Sequence, residues 1–247
     1  QIIMDLSVII CTFNRSSILE KTLQSFFDMD WDSVTCYELL VVDNHSGDNT
    51  KHIIQSFLQD HPNIIKYVYE EKTGLSHARN KGISQARGKI IAFADDDVDF
   101  DERWGQEILH TFSSYPDASC IGGKSKPIFA EGPPDWPKNI DVFYGDTGFG
   151  ETTQYMEFPK YPFGLNMAFR KEVFSWVGVF NPKLGRCGNS LLSCEETELF
   201  YRINKHNLKT LYSHSIVLRH RIPAESTKPT WILDRCYWQG ASEVVFD

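Results

Sequence analysis

Three consecutive aspartates, Asp95-Asp96-Asp97, follow the apolar run Ile90-Ile91-Ala92-Phe93-Ala94. Adjacent carboxylates repel one another unless a cation offsets them. Mg2+ or Mn2+ is commonly held by one or two carboxylates together with phosphate oxygens. On an extended backbone Asp95 and Asp97 point to one side, so one can meet the metal while the other meets a ribose or a metal-bound water. The same run would also suit the N-terminal end of a helix expected from near Glu102. A second acidic group, Cys194-Glu195-Glu196-Thr197-Glu198, opens an amphipathic helix carrying Leu199, Phe200 and Ile203. Its carboxylates either complement the helix dipole or supply a general base beside a cleft; Glu198 reads as a surface residue. Arg79, within Gly74 to Gly82, is either a surface charge or a fixed planar cation at a nucleotide edge. His220, between two arginines, is either structural or a ligand.

Other motifs fail on their spacing. Five residues separate Gly82 from Gly88-Lys89, one more than a phosphate loop allows, and Ile90 stands where Ser or Thr is needed. No Gly-x-Gly-x-x-Gly follows the first strand. Asp97, Asp99 and Asp101 imitate a calcium loop, but Glu102 occupies its glycine position. A phosphotransferase aspartate pair would sit on the first strand, and a nucleotidyltransferase would need a Gly-rich, basic N-terminal signature. Any nucleotide phosphates are therefore expected to meet a metal rather than a glycine cradle.

The elements that must position these residues are legible as alternation. Leu6 to Cys11, Leu39 to Val42, Ile64 to Tyr69 and Ile90 to Ala94 read as buried strands. Helical patterns lie between them: one capped by a Ser17/Glu20 box and running to about Asp28, one capped by Asp48, and one over Leu75 to Ala86. This predicts an α/β fold, a mostly parallel central sheet flanked by helices. Ligands bind such sheets outside the carboxyl ends of the strands, where Thr12, Asn14, Asp43 and the aspartate run should converge. From about Phe129 to Pro162 the chain is rich in proline (including Pro137), glycine and aromatics, which predicts a long substrate-contacting loop. A strand over Gly164 to Phe169, a short helix over Lys171 to Val177, a Gly/Asn-rich stretch (Gly185 to Asn189) and the helix from Glu195 to about Lys205 follow. Two short strands, Thr210 to Tyr212 and Ile216 to Leu218, lead to His220. A last helix, Trp231 to Val245, carries Leu233, Tyr237 and Trp238, with core packing its expected role.

The chain has 247 residues and a net charge of −8, a balance that speaks against a nucleic-acid partner but admits a nucleotide whose phosphates are neutralised locally. No apolar run approaches the ~18 residues of a membrane span. The first residues, Gln1-Ile2-Ile3-Met4-Asp5, show no signal-peptide pattern. Six cysteines without a Cys-x-x-Cys pair predict reduced, mostly buried thiols and a cytoplasmic protein. Asn14-Arg15-Ser16 and Asn44-His45-Ser46 match the glycosylation sequon, but both fall at the expected ligand edge.

Taken in order, Ser7 to Arg15, Val41-Val42-Asp43-Asn44, Gly74 to Gly82, Phe93 to Asp97, Gly164 to Arg170 and Glu195 to Leu199 resemble family 2 glycosyltransferases of the GT-A fold. The resemblance spans nearly the whole chain. It implies a single Rossmann-like domain, a nucleotide-sugar half to about residue 125 and an acceptor half beyond it. It further implies inverting transfer of one sugar from a nucleotide-diphosphate donor, UDP-linked by preference, to a saccharide or lipid-linked saccharide. In that scheme Thr12, Asn14, Asp43, Arg79, Asp95 and Asp96 hold the nucleotide. Asp97, Asp95 and His220 hold Mn2+ or Mg2+, and Glu196, with Glu195 beside it, is the base. The family commonly has a Glu-Asp pair there; this chain has Glu195-Glu196. The Gln-x-x-Arg-Trp segment of polymerising members is absent. A lipid-linked acceptor would bring peripheral membrane contact. A non-catalytic sugar-binding protein of the same fold is the alternative.

Overall fold

The computed structural model describes residues 4–34, 36–136, 138–188 and 190–246. The expectations that fall on Gln1 to Ile3, Pro137 and Asn189 lie outside the described residues.

Four strands form the first half of the sheet: β1 (Leu6–Thr12), β2 (Tyr37–Asp43), β3 (Ile65–Tyr69) and β4 (Ile90–Asp95). All pair in parallel, with β1 between β2 and β4 and β3 outside β2. Their apolar residues alternate between two cores, as a two-residue period requires. Val8, Ile10, Leu39, Val41 and Ala92 face one core, while Ile9, Leu40, Val42, Ile91 and Phe93 face the other. Helices α1 (Ser16–Phe27), α2 (Thr50–Asp60) and α3 (Leu75–Gln85) connect them. Leu19, Leu23, Phe26 and Ile54 cover the first face, and Ala78 and Ile83 the second.

The expected Ser17/Glu20 capping box does not form. Helix α1 starts at Ser16 without a local side-chain cap. Instead Asp48 accepts the Ser16 N–H at 3.0 Å on one oxygen and the Thr50 N–H at 3.0 Å on the other. One carboxylate thus satisfies the first amides of both α1 and α2, and joins the loops at the sheet's carboxyl edge.

Antiparallel pairing enters in the second half. After β5 (Val98–Phe100) and α4 (Trp104–Ser114) come β6 (Ala118–Phe129), β7 (Gln154–Met156), β8 (Asn166–Arg170), α5 (Val173–Val177), α6 (Glu195–Lys205), β9 (Lys209–Ile222) and α7 (Pro229–Phe246). The sheet runs β3-β2-β1-β4-β8-β6-β9-β5, with β7 added on β9. The two short strands expected near residue 215 are one strand, β9. Its pairing with β6 is irregular between Gly123 and Lys124 and then continues to Ile222. The expected long loop holds a 3-10 helix, Lys138–Tyr144, and β7.

Two further expectations are corrected. Of the free thiols Cys11, Cys120, Cys187, Cys194 and Cys236, only Cys120 and Cys194 are buried. On α7, Trp231 stacks on Tyr144 with centroids 5.5 Å apart and Ile232 joins the same small core, whereas Leu233 and Tyr237 are exposed. Among the described residues no helix is long and apolar enough to cross a membrane.

Candidate active site

Strand register brings the strand-end residues together. Thr12 pairs with Asp43 and Cys11 with Asp95, so β1, β2 and β4 end in one row. The chain then turns at Asp96-Asp97 before β5. Thr22 of α1 fixes this turn, its hydroxyl lying 2.8 Å from the Asp96 carbonyl and 3.0 Å from that of Val98. The turn overturns the expectation that Asp95 and Asp97 share a side of an extended strand. Asp95 ends β4 and approaches Arg79, while Asp97 points to Arg15 and His220.

Asp96 and Asp97 are both buried. Thr12 donates to Asp96 at 2.7 Å, and Arg15 donates to Asp96 at 2.6 Å and to Asp97 at 2.7 Å. Burial pushes Asp96 up to about 7 against the opposing charge of Arg15. Asp97 is also desolvated, but His220 and Arg15 more than offset this and hold it well below the usual carboxylate range. Sequence alone does not mark Arg15: an arginine three residues beyond the strand-end Thr12 has no distinguishing spacing.

The second acidic group meets Arg79. Helix α3 is held at its start by Asn44, which accepts the Gly74 N–H at 2.7 Å. It lies so close to β1 that a Cβ on Gly82 would come within 2.6 Å of Ile9. This packing buries Arg79, which donates to Glu195 and Glu196 at 3.1 Å each, lies 3.9 Å from Asp95, and sits over the Phe180 ring at 5.2 Å. Arg79, expected at the nucleotide edge, gives its guanidinium to three acids. Glu195 is 3% exposed at its side chain and Glu196 18%. Burial, reinforced by the neighbouring Glu196, pushes Glu195 up to about 8. For Glu196 the charge of Arg79 and the hydrogen bonds outweigh burial, and the carboxyl lies below its ordinary value. Glu196 is therefore the ionised and more accessible member. Gly164 gives this pair its room: a Cβ there would fall 1.9 Å from Glu196 Oε1 and 2.5 Å from Arg79 Nη2, so both side-chain ends would have to shift.

Thr12, Arg79, Asp95, Asp96, Glu195 and Glu196 line one cleft of about 370 Å³. Asp43, Asn14, Asp97 and His220 do not. Asp43 is buried, accepting from Tyr67 and from the Ser46 N–H at 2.9 Å each. Asn14 adopts φ 53° and accepts the Gly47 N–H at 2.7 Å, joining the loops after β1 and β2. Asn44, the second sequon asparagine, is buried and gives its side chain to Gly74 and Lys72. Glu198 pairs with Arg202 one turn later. Arg186 and Arg235 also line the cleft; lone arginines in a loop and on a helix carry no motif that could have found them.

The expected trio Asp95, Asp97 and His220 is not gathered into a cage: among the described residues no three His, Cys, Asp or Glu side chains lie together closely enough to hold a metal ion. A smaller donor set does fit one. His220 Nδ1 donates to the Tyr144 carbonyl at 2.7 Å and its Nε2 faces Asp97 Oδ1 at 3.4 Å; the Nε2 proton that supports the Asp97 charge is the one a cation would displace. That buried Asp97 oxygen has no hydrogen-bond partner. A histidine anchored through its other nitrogen and opposed to an unsatisfied carboxylate oxygen is the arrangement of a metal-binding pair. Mg2+ and Mn2+ need few protein ligands when phosphate and water complete the shell.

This open α/β sheet with an acid-lined cleft at its strand ends is the GT-A fold of solved glycosyltransferase structures. The mannosyltransferase PcManGT from Pyrobaculum calidifontis, solved with GDP-Man and Mn2+, superposes with a TM-score of 0.71 at 19% identity, over 98% of this chain and 64% of that one. S. aureus TarS residues 1–349 with UDP-GlcNAc gives 0.68 at 18% identity, over 89% and 59%. The model of glycosyl transferase family 2 matches residues 7–176, and the chain belongs to that family. It is 26% identical over 250 residues to the glucosyl-dolichyl phosphate glucuronosyltransferase of Haloferax volcanii, covering 99% of this chain and 78% of that protein. It is 39% identical over 94 residues to the GalNAc(5)-diNAcBac-PP-undecaprenol beta-1,3-glucosyltransferase of Campylobacter jejuni, covering 37% of this chain and 29% of that protein. The chain thus spans less than two thirds of these solved structures and under a third of the second relative.

Proposed function

We propose that this chain transfers one sugar, with inversion, from a nucleotide-diphosphate donor to a hydroxyl of a lipid-linked saccharide. The observation that carries this reading is that the strand-end acids Asp95 and Asp96 line the same cleft as the ionised Glu196. Glu196 is the base: it takes the proton of the acceptor hydroxyl as that oxygen attacks the anomeric carbon, and the nucleoside diphosphate leaves from the opposite face. Arg79 orients Glu196 and, with Glu195, keeps it charged. Thr12, Asn14 and Asp43 form the nucleoside edge, and residues to about 125 constitute the donor half. Asp97 and His220 would hold Mn2+ or Mg2+, with Asp95 at the diphosphate. The bound cation supplies positive charge where the departing diphosphate gains negative charge. UDP is the favoured nucleotide.

The relatives' names support the acceptor class, since both carry a dolichyl or undecaprenol group. Helix α7 presents Leu233, Tyr237 and Val244 to solvent, consistent with peripheral contact at the cytoplasmic face of the membrane carrying such an acceptor. Thermal shifts with nucleoside diphosphates and their sugars, with and without Mn2+, test the reading. Stabilisation by a nucleotide sugar that requires Mn2+ is expected; indifference to the whole panel would refute it. Binding without turnover of the sugar would favour a non-catalytic protein of the same fold.

A further inference from the structure

Four arginines line the cleft, and they divide into two kinds. Arg15 bridges Asp96 and Asp97, and Arg79 is held among Glu195, Glu196 and Asp95. Arg186 and Arg235 have no carboxylate partner among the described residues. Arg235 is 9% exposed. Its Nη1 reaches the Leu191 carbonyl at 3.4 Å, its guanidinium lies 6.0 Å from the Phe143 ring, and its Nε is buried with no partner. Arg186 adds a second positive charge near it, while Glu195 and Glu196 are committed to Arg79. A guanidinium cannot escape this cost by losing its proton, and an uncompensated buried charge is strongly unfavourable.

The backbone that carries both side chains is nevertheless held in place. The Arg186 carbonyl accepts the Leu75 N–H at 2.8 Å, fixing its loop to the start of α3. Helix α7, which carries Arg235, is tied to the same segment where Ser242 accepts the Ser193 N–H at 2.8 Å. Two planar donors lining one cleft, neither of them ion-paired among the described residues, suit the paired oxygens of a phosphate or carboxylate.

We propose that Arg186 and Arg235 form an anion-binding subsite that receives an oxyanion group of the sugar nucleotide, its diphosphate or a carboxylate on the transferred sugar. This rests on the donor reading above. The subsite completes the cleft: the strand-end arginines are neutralised by the protein, and this pair is neutralised by the substrate.

The test is calorimetric titration of wild type, Arg186→Gln and Arg235→Gln, in MnCl2, with uridine, UMP, UDP, UDP-glucose, UDP-glucuronate and inorganic pyrophosphate, and with the guanosine series. Each variant should lose about tenfold or more in affinity for the ligand carrying the recognised group, the scale of a charge-assisted hydrogen bond. A loss already present with UDP or pyrophosphate identifies the diphosphate. A loss confined to UDP-glucuronate identifies the sugar carboxylate. Unchanged affinity of both variants for every anionic ligand overturns the subsite. If wild type binds pyrophosphate but no nucleotide, and the variants lose it, the subsite stands and the donor reading falls; if wild type binds neither, both fall. Should Arg235→Gln fail to fold by circular dichroism, Arg186→Gln decides, since its side chain is exposed.

Discussion

At the strand ends, Arg15 meets two aspartates and Asp97 meets both Arg15 and His220. Across the cleft, Arg186 and Arg235 meet no acid among the described residues. The difference follows from what carries each side. Arg15, Asp96 and Asp97 follow directly on the parallel strands β1 and β4, whose register is set by two buried faces, and His220 lies on β9 beside β5, so their side chains can be mutually paired as the sheet forms. The other side is built from a loop and the last helix, docked through hydrogen bonds such as Ser193 to Ser242. A wall satisfied in advance stays organised without ligand, whereas a wall with unspent charge is completed by one.

Breaking this comparison begins where the two sides meet, at Glu196. Replacement by Gln keeps the shape and removes the base. Transfer should fall by about 10²–10⁴-fold, the usual contribution of a general base, while nucleotide-sugar affinity stays close to wild type. Initial rates and calorimetry measure the two quantities separately, and full activity would remove Glu196 from the role. Asp97→Ala attacks the strand-end side. Mn2+-dependent donor affinity should drop by about 10–100-fold, the scale on which metal sites respond to loss of a supporting group. Identical titrations with and without Mn2+ in wild type and variant would leave the Asp97–His220 pair without a metal role.

Legibility in the sequence follows the same division. β1, β2 and β4 are readable because Val, Ile and Leu runs buried on both faces have no competing interpretation, and the polar residues at their ends then share an edge. β6 is not, because Gly122 and Gly123 break its apolar run and Lys124, Lys126 and Pro127 interrupt the pattern beyond them; its glycines are needed where Pro162 and Asn166 press against the backbone. β9 reads as two strands because Ser213-His214-Ser215 interrupts its pattern at the irregularity in its pairing with β6. β5 has only three residues, one of them acidic. Among the site residues, consecutive carboxylates announce themselves by their cost, but which way each points depends on the turn at Asp96-Asp97. Single arginines announce nothing: Arg15, Arg186 and Arg235 acquire meaning only from long-range packing.

Gly164 sharpens the comparison at its hinge, where the chain entering β8 presses on the Arg79–Glu196 pair. Gly164→Ala would force a methyl into both side chains. Overpacking of this kind costs about 1–3 kcal/mol, and at roughly 2–4 °C per kcal/mol for a domain of this size the melting temperature should fall by several degrees. An unchanged melt and unchanged activity would show that the pair can move aside.

The last prediction concerns the proton on Glu195. Its unfolded value lies near 4.5 and burial raises the folded value to about 8. The folded protein therefore keeps a proton that the unfolded chain releases. That contribution to stability is complete below pH 4.5 and is lost as pH rises through 8. Glu195→Gln carries a permanent neutral group, so it removes this loss, and the decline in melting temperature between pH 5 and 8.5 should be shallower than in wild type. Parallel slopes would mean that Glu195 is ionised in the folded protein. Arg79 would then balance two carboxylates as well as Asp95, and Arg235, whose charge also acts on Glu195 and Glu196, would have to supply the missing charge.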